Sequence, residues 1–493
     1  MIAGCAAALY SLYFFELDGC GLLSKDEPRY AAIGLEMAHS GDFVMPVLWG
    51  QPWFEKPPLL YWMTAAAARM GVPGDLAPRL PVASLGAVFV AVYFAILARE
   101  FGSRVALFAA AILGTSAGWL AYSRIAVTDV PLSATFAAGM LLLMRPAMSF
   151  RRALVSGVLI GLATLAKGLV PFVLLLPAIW FRRREIRALL LVIGVALAVA
   201  APWYAAVTLR AGRAFFDEFI WKQHFARFVS DISQHVQPWW YYAPVLLAGL
   251  APWTPLIALV RRRLFDDGRA RFLLVWFLWG LVFFSASRNK LPGYVLPLLP
   301  AAAVLLALAL DAAPRAWAAL TLGASAALLY VFPLAERVLP SALTSGIRHA
   351  TVAFAGAFPR ASLIAVGLVA IAVAALELRG ARMAAVLLVS AGVTIGVVHF
   401  VVDAYPVLDQ RVSTREVWRS FERRAQDAAA SSMKTRNRTP AAPVVRGVVE
   451  DRSRPCIASG SWEFRYGLSY YFGFAVPDCS GAPGEVPLRP AGS

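Results

Sequence analysis

The chain has 493 residues, 60% of them hydrophobic and only 15% charged, with a formal net charge of +17. Average soluble domains carry about 25% charged residues, so a soluble fold cannot hide this much apolar surface and the bilayer must serve as solvent. The basic excess does not mark a nucleic-acid binder, because the arginines sit in short loops between apolar runs and no basic stripe alternates with aromatics.

Backbone groups in lipid must be satisfied internally, which demands helices here, since no alternating barrel pattern is present. Met1 to Leu17 reads as a first spanning helix with no basic n-region and no small-residue cleavage site, hence a retained anchor. Residues 18–78 are too polar to span, yet Tyr30–His39 and Leu59–Met70 are amphipathic and suit helices lying in the interface. Further spans are predicted at about 79–98, 104–121, 129–145, 153–166, 168–181, 188–208, 239–260, 272–287, 291–310, 315–333, 361–378 and 383–402, about thirteen in all.

Arg151-Arg152, Arg182 to Arg184 with Arg187, Arg261 to Arg263 with Arg269, and Arg379 with Arg382 fall on loops of one parity. The positive-inside rule assigns that set to the cytoplasm. The N-terminus is then cytoplasmic, while the long first loop, the loop from Arg210 to Pro238, the turn from Arg288 to Pro292 and the C-terminus face outward. The predicted division is a transmembrane domain over 1–402 and a small extracytoplasmic domain over 403–493. In that tail, Ser413-Thr414-Arg415-Glu416 is a capping box opening a helix, Ala428 to Pro443 reads as a linker, and aromatic Gly460 to Phe474 suits strands. Cys456 and Cys479 share the outward side, where a disulfide is permitted; Cys5 and Cys20 read as unpaired.

Ionisable groups near a bilayer are costly and mark functional candidates. The first loop holds Asp26-Glu27-Pro28-Arg29-Tyr30 and Phe54-Glu55-Lys56-Pro57-Pro58. Carboxylates beside cations supply a general base and an anion clamp together; the alternative reading is that Asp26 caps the following helix, with Pro28 in its first turn. Arg124 and Asp129 lie on the same outward side, where Thr128 or Asp129 before Pro131 also makes a good helix start. His224 and Arg227 are spaced to share a helix face. Arg288, Lys290 and Tyr294, at the mouth of a span, suit a phosphate at headgroup depth or an interfacial anchor. No nucleotide-binding glycine loop, metal-cluster motif or local Ser-His-Asp set is present. An outward enzyme lacks nucleotide sugars and ATP, so an activated group must arrive on a membrane carrier such as a polyprenyl phosphate.

DEPRYA from Asp26, FEKPPLLYW from Phe54, SRIAVTDVPL from Ser123, AKG at Ala166 to Gly168 and SRNKLPGYVLPLLP from Ser287 together resemble the GT-C group of bacterial aminoarabinose (lipid A) transferases and protein O-mannosyltransferases. The resemblance implies an all-α polytopic membrane fold of about thirteen helices with a small soluble α/β tail. It further implies a polyprenyl-phosphate sugar donor and transfer to a lipid or protein acceptor at the outer face of a bacterial inner membrane. Carried over residue by residue, Asp26 matches the acidic residue that activates the acceptor, Glu55 and Lys56 the Glu-Lys pair, and Asp129 a second acidic position. Lys56, Arg227, Lys290 and Tyr294 resemble the donor-phosphate set. Some members place a divalent metal near the equivalents of Glu55 and His224. A lipid or oligosaccharide flippase is the alternative class; the gathering of charged motifs in outward loops, without a repeat between halves, weighs against it.

Overall fold

The computed structural model describes residues 2–226, 236–345, 360–435, 454–458, 460–480 and 485–490, and within these a few side chains, that of His224 among them, are left undescribed. Each predicted span coincides with helical structure. Among the described residues, seven helices are long and apolar enough to cross a membrane: Leu76–Phe101, Ile186–Ala211, Gly268–Ala286, Pro292–Ala312, Arg315–Val338, Ala361–Leu378 and Arg382–Arg411. The chain is thus a multi-pass membrane protein. Ser103–Gly114 and Ala117–Ser123 form an eighth, bent by 61°. The bend falls where the Thr115 and Ser116 hydroxyls donate back to the Ala111 and Leu113 carbonyls, at 2.6 and 2.9 Å. The Ala117 N–H leaves its own helix for the Ala251 carbonyl. The segment expected at 239–260 is broken into Trp239–Tyr241, Tyr242–Gly249 and Thr254–Leu259, because Pro252 and Pro255 each remove a backbone donor.

Small residues allow close packing between helices. A Cβ on Gly157 or Gly161 of the Phe150–Lys167 helix would lie 2.7 Å from the Cβ of Val195 or Val199. This four-residue spacing of glycines lets the Ile186–Ala211 helix approach closely, as small residues do between membrane helices.

The predicted cytoplasmic arginines gather at one end of the bundle, where they close neighbouring helices. Arg182 donates to the carbonyls of Leu143 and Met144, Arg269 to that of Glu100, and Arg382 to those of Leu310, Asp311 and Ala313. The last carbonyls of a helix have no intrahelical donor, and the negative end of its dipole favours a cation. These residues therefore complete the fold.

At the opposite end, the two predicted interfacial stretches form the helices Asp26–Ser40 and Leu59–Arg69. They meet at Gly34, whose hypothetical Cβ would sit 2.5 Å from that of Thr64. The side chain that anchors this layer is Glu27. Its carboxylate accepts from Arg79 Nε and Nη2 at 2.7 and 2.8 Å, from the Ala126 N–H at 2.8 Å and from the Leu23 N–H at 2.7 Å. Arg79 spends its remaining donors on the carbonyls of Leu17, Cys20 and Gly21. Both side chains are buried.

The tail corrects three expectations. Gly460–Phe474 is not strand: Trp462–Phe472 is a helix, opened by the Ser461 hydroxyl accepting from the Phe464 N–H and closed by Gly473 in the left-handed conformation. The strands lie outside it, Arg454–Ile457 pairing in parallel with Glu485–Leu488. The stretch read as a linker begins inside the Arg415–Thr435 helix, and residues 436–443 lie outside the described residues. The last span runs on to Arg411, past the expected end at 402. The Ser413 hydroxyl accepts from the Arg415 N–H at 3.0 Å at the start of the tail helix, whereas Glu416, expected to close the capping box, pairs with Arg423 instead. Cys456 and Cys479 are bridged. Phe421, Ile457, Phe464, Leu468, Val476 and Leu488 make a small core of their own. The Arg415 side chain ties this tail to the bundle through Asp409 and Asp75.

Removing one member of a buried ion pair strands the other charge, at a cost of about 3–5 kcal/mol. Glu27→Ala should therefore lower the thermal unfolding midpoint in detergent sharply. The double variant Glu27→Gln with Arg79→Met should recover part of that loss, and an unchanged midpoint in the single variant would contradict the anchoring role.

Candidate active site

Two groups of charged side chains stand at this end of the bundle, opposite the arginines. The first is built on the start of the Asp26–Ser40 helix. Asp26 is its first residue; its N–H donates to the Ser24 hydroxyl at 3.3 Å, and its carboxylate caps no backbone donor but pairs with Arg29, one turn on. The structure thus decides against the capping reading. Arg29 also reaches Glu55 Oε2 at 3.0 Å, and Lys56 Nζ lies 3.1 Å from Glu55 Oε1. The Tyr30 hydroxyl stands 3.5 Å from the same oxygen.

Exposure separates these carboxylates. The Asp26 side chain is 31% exposed, against 14% for Glu55 and 13% for Asp129, so Asp26 is the one most open to an incoming molecule. Burial pulls the Arg29 guanidinium down, but Glu55, Tyr30 and Asp26 outweigh it and hold Arg29 above its ordinary value. Burial, followed by Asp26 and Glu55, drives the Tyr30 phenol far above its ordinary range, so it remains a donor.

Aromatic rings enclose Arg29. Its guanidinium lies 5.3 Å from the Trp53 ring and 5.0 Å from that of Tyr466, which comes from the tail. Tyr466 stacks in turn on Trp49. Trp49 has φ +48 and Gly50 φ +82, in a two-residue turn joining Val47–Leu48 to Gln51–Pro52. Both central residues of such a turn need positive φ. For a bulky side chain this conformation is strained, and the stack on Tyr466 is what the strain positions. A cavity of about 740 Å³ opens beside Arg29, Trp53, Glu55 and Lys222. Trp53 Nε1 is buried and has no hydrogen-bond acceptor among the described residues.

The second group is centred on Asp129, first residue of the Asp129–Leu143 helix. Its partner is Lys167, at 2.6 Å, and the Lys167 ammonium lies 4.7 Å from the Tyr294 ring centre. Arg124, expected to join Asp129, turns away and donates to the carbonyls of Leu12, Phe15 and Glu16 and to the Tyr405 hydroxyl. It braces the first helix against the last span instead. The Gly293 backbone packs against Asp129: a Cβ there would meet Asp129 Oδ1 at 2.5 Å and Tyr122 at 2.7 Å. Tyr122 stands beside Asp129 across the Gly293 backbone, and Glu27, the neighbour of Asp26, accepts from the Ala126 N–H three residues before Asp129.

Lys290 is buried, and its ammonium donates to the carbonyls of Gln237 and Ser287. Burial lowers its affinity for a proton. With two of three donors committed, it clamps the loop and has one donor left for a ligand. Arg227 lies outside the described residues. His224 falls in the π-helical Phe216–Ala226 segment, with its side chain undescribed. Both carboxylate oxygens of Glu55 are already in ion pairs with cations, an arrangement that does not fit a divalent metal there.

The fold and these two groups define a multi-pass membrane protein with a polar site at one end of its helices. The chain's residues 55–205 match the family model of dolichyl-phosphate-mannose-protein mannosyltransferase. It is 34% identical over 316 residues to an undecaprenyl phosphate-alpha-4-amino-4-deoxy-L-arabinose arabinosyl transferase of Pseudomonas fluorescens, covering 60% of this chain and 54% of that one. To the corresponding Pseudomonas aeruginosa transferase it is 35% identical over 320 residues, 60% of this chain and 57% of the relative. The chain therefore spans just over half the length of these relatives. Its fold matches the crystal structure of ArnT from Cupriavidus metallidurans bound to undecaprenyl phosphate, with a TM-score of 0.77 at 24% identity over 96% of this chain and 85% of ArnT. The archaeal oligosaccharyltransferase AglB from Archaeoglobus fulgidus matches at a TM-score of 0.53 and 12% identity, over 96% and 63% of the two chains. The resemblance read from the motifs and the resemblance in fold agree.

Overpacking a tight site costs about 1–3 kcal/mol. Gly293→Ala should lower the unfolding midpoint and displace Asp129 from Lys167, whereas Gly194→Ala, whose Cβ meets nothing within 4 Å, should leave the midpoint level or raise it. Equal midpoints for the two variants would contradict the tight Gly293–Asp129 contact.

Proposed function

We propose that the chain is a membrane glycosyltransferase that moves a sugar from a polyprenyl-phosphate donor to a lipid or protein acceptor. The site faces the outer side of the inner membrane, the N-terminus is cytoplasmic, and residues 403–493 form a small outward domain on a transmembrane domain of 1–402. The observation that carries this reading is the pairing of an accessible carboxylate, Asp26, with cations and a cavity at the outward end, on a fold shared with a protein crystallised with undecaprenyl phosphate.

Asp26 accepts the proton of the acceptor nucleophile, which attacks the anomeric carbon as the bond to the polyprenyl phosphate breaks. Lys56, Arg227, Lys290 and Tyr294 hold the departing phosphate and stabilise its growing charge; the contact of Lys167 with Tyr294 adds Lys167 to that set. Glu55 keeps Arg29 and Lys56 oriented, and Asp129 does the same for Lys167. No second carboxylate is assigned as a nucleophile, so a single displacement inverts the anomeric centre. Confinement of both lipid substrates to one leaflet supplies much of the rate.

Purified protein supplied with radiolabelled polyprenyl-phosphate sugars and lipid or protein acceptors tests this. Asp26→Asn should reduce transfer by about 10²–10⁴-fold, and Lys56→Ala should weaken donor use as well as turnover. Near-normal transfer by Asp26→Asn would overturn the assignment of the base.

A further inference from the structure

Three ionisable side chains with no part in this chemistry meet on the flank of the last span. His399 Nδ1 lies 2.9 Å from Glu336 Oε1 and 2.9 Å from Asp403 Oδ2. Asp403 follows His399 by one turn of the Arg382–Arg411 helix, and Glu336 comes from the neighbouring Val331–Ser345 helix. His399 and Asp403 line a crevice of about 570 Å³ together with Ser11, Ile395, Val398 and Val402.

Depth makes this cluster unusual. At 1.5 Å per residue, His399 lies roughly 25 Å along its helix from Arg382, near the outward edge of a hydrocarbon layer about 30 Å thick. The side chains of His399 and Asp403 are 63% and 52% exposed, and at that depth the neighbour is lipid. Ionisable groups there are expensive unless they neutralise one another. A neutral imidazole leaves two negative charges, and a protonated one still leaves a net negative charge. Nor can the single proton on Nδ1 be given fully to two carboxylates at equal distance. A divalent cation resolves both problems: it balances the two carboxylates and takes the nitrogen lone pair. The three ligand atoms already lie within 4.8 Å of one another.

We propose that Glu336, His399 and Asp403 form a binding site for a divalent transition-metal ion of the zinc class, at headgroup depth on the outward side. One imidazole and two carboxylates make a mixed nitrogen–oxygen donor set suited to zinc, whereas magnesium and calcium prefer oxygen alone. The ion staples the last span to the Val331–Ser345 helix and leaves a coordination position open to the crevice.

The full chain in detergent, stripped with a chelator, is titrated with Zn²⁺ by calorimetry and with Co²⁺ by visible absorption. Loss of even an outer-shell partner weakens a metal site by about 10–100-fold, so His399→Ala and the milder Glu336→Gln should each cost at least tenfold in affinity. Zn²⁺ should raise the unfolding midpoint of the wild type and of Glu55→Gln, but not of the two site variants. Equal Zn²⁺ affinity in the wild type and a Glu336→Gln variant that elutes as the wild type does would reduce the trio to an ion pair and overturn the proposal. So would loss of binding in Glu55→Gln alone.

Discussion

The Glu27 carboxylate is the point on which the site-bearing end of this protein depends. One oxygen accepts from Arg79 and from the Ala126 N–H, the other from Arg79 and from the Leu23 N–H. Four bonds on a buried carboxylate satisfy its full acceptor capacity and offset the desolvation that would otherwise expel it. The consequence is geometric. Glu27 is the immediate neighbour of Asp26, and Ala126 stands three residues before Asp129. One side chain therefore fixes the start of the interfacial helix relative to the start of the Asp129–Leu143 helix. Arg79 adds the third body, the Leu76–Phe101 span, and gathers the Leu17–Gly21 carbonyls beneath it.

Around this anchor, each charge at the site is held by another. Asp26 with Arg29, Glu55 with Lys56, and Asp129 with Lys167 are close pairs near lipid, where lone charges are costly. The cations of these pairs have carboxylates as their present partners. The tail contributes through Tyr466, whose contact with Arg29 couples it to the first loop. At the other end, arginines that close helix C-termini keep the bundle rigid.

Much of this was legible in the sequence. The spans follow from runs of apolar residues, the interfacial helices from amphipathic spacing, and Asp26, Glu55 and Asp129 from carboxylates standing beside cations or helix starts. Local reading could not assign partners. Asp129 chooses Lys167, 38 residues away, over nearby Arg124, because Arg124 is drawn to carbonyls of the first helix. The signal for Lys167 was a lone cation between two apolar runs. Glu27 was hidden by its position inside the same motif as Asp26: adjacent helical residues point about 100° apart, so one faces the core and the other the site. Trp462–Phe472 was misread because aromatic residues suit strands and buried helices alike, and the helix is decided by the Ser461 cap and Gly473.

The central claim is that Glu27 holds the Asp26 and Asp129 groups together as one phosphate-binding site. A structure determined by electron cryomicroscopy with undecaprenyl phosphate tests it most directly. The account predicts the phosphate between the two groups, within hydrogen-bond distance of Lys56 and reached by cations from both. A phosphate bound at the opposite end of the bundle, among Arg151, Arg152 and their neighbours, would contradict it.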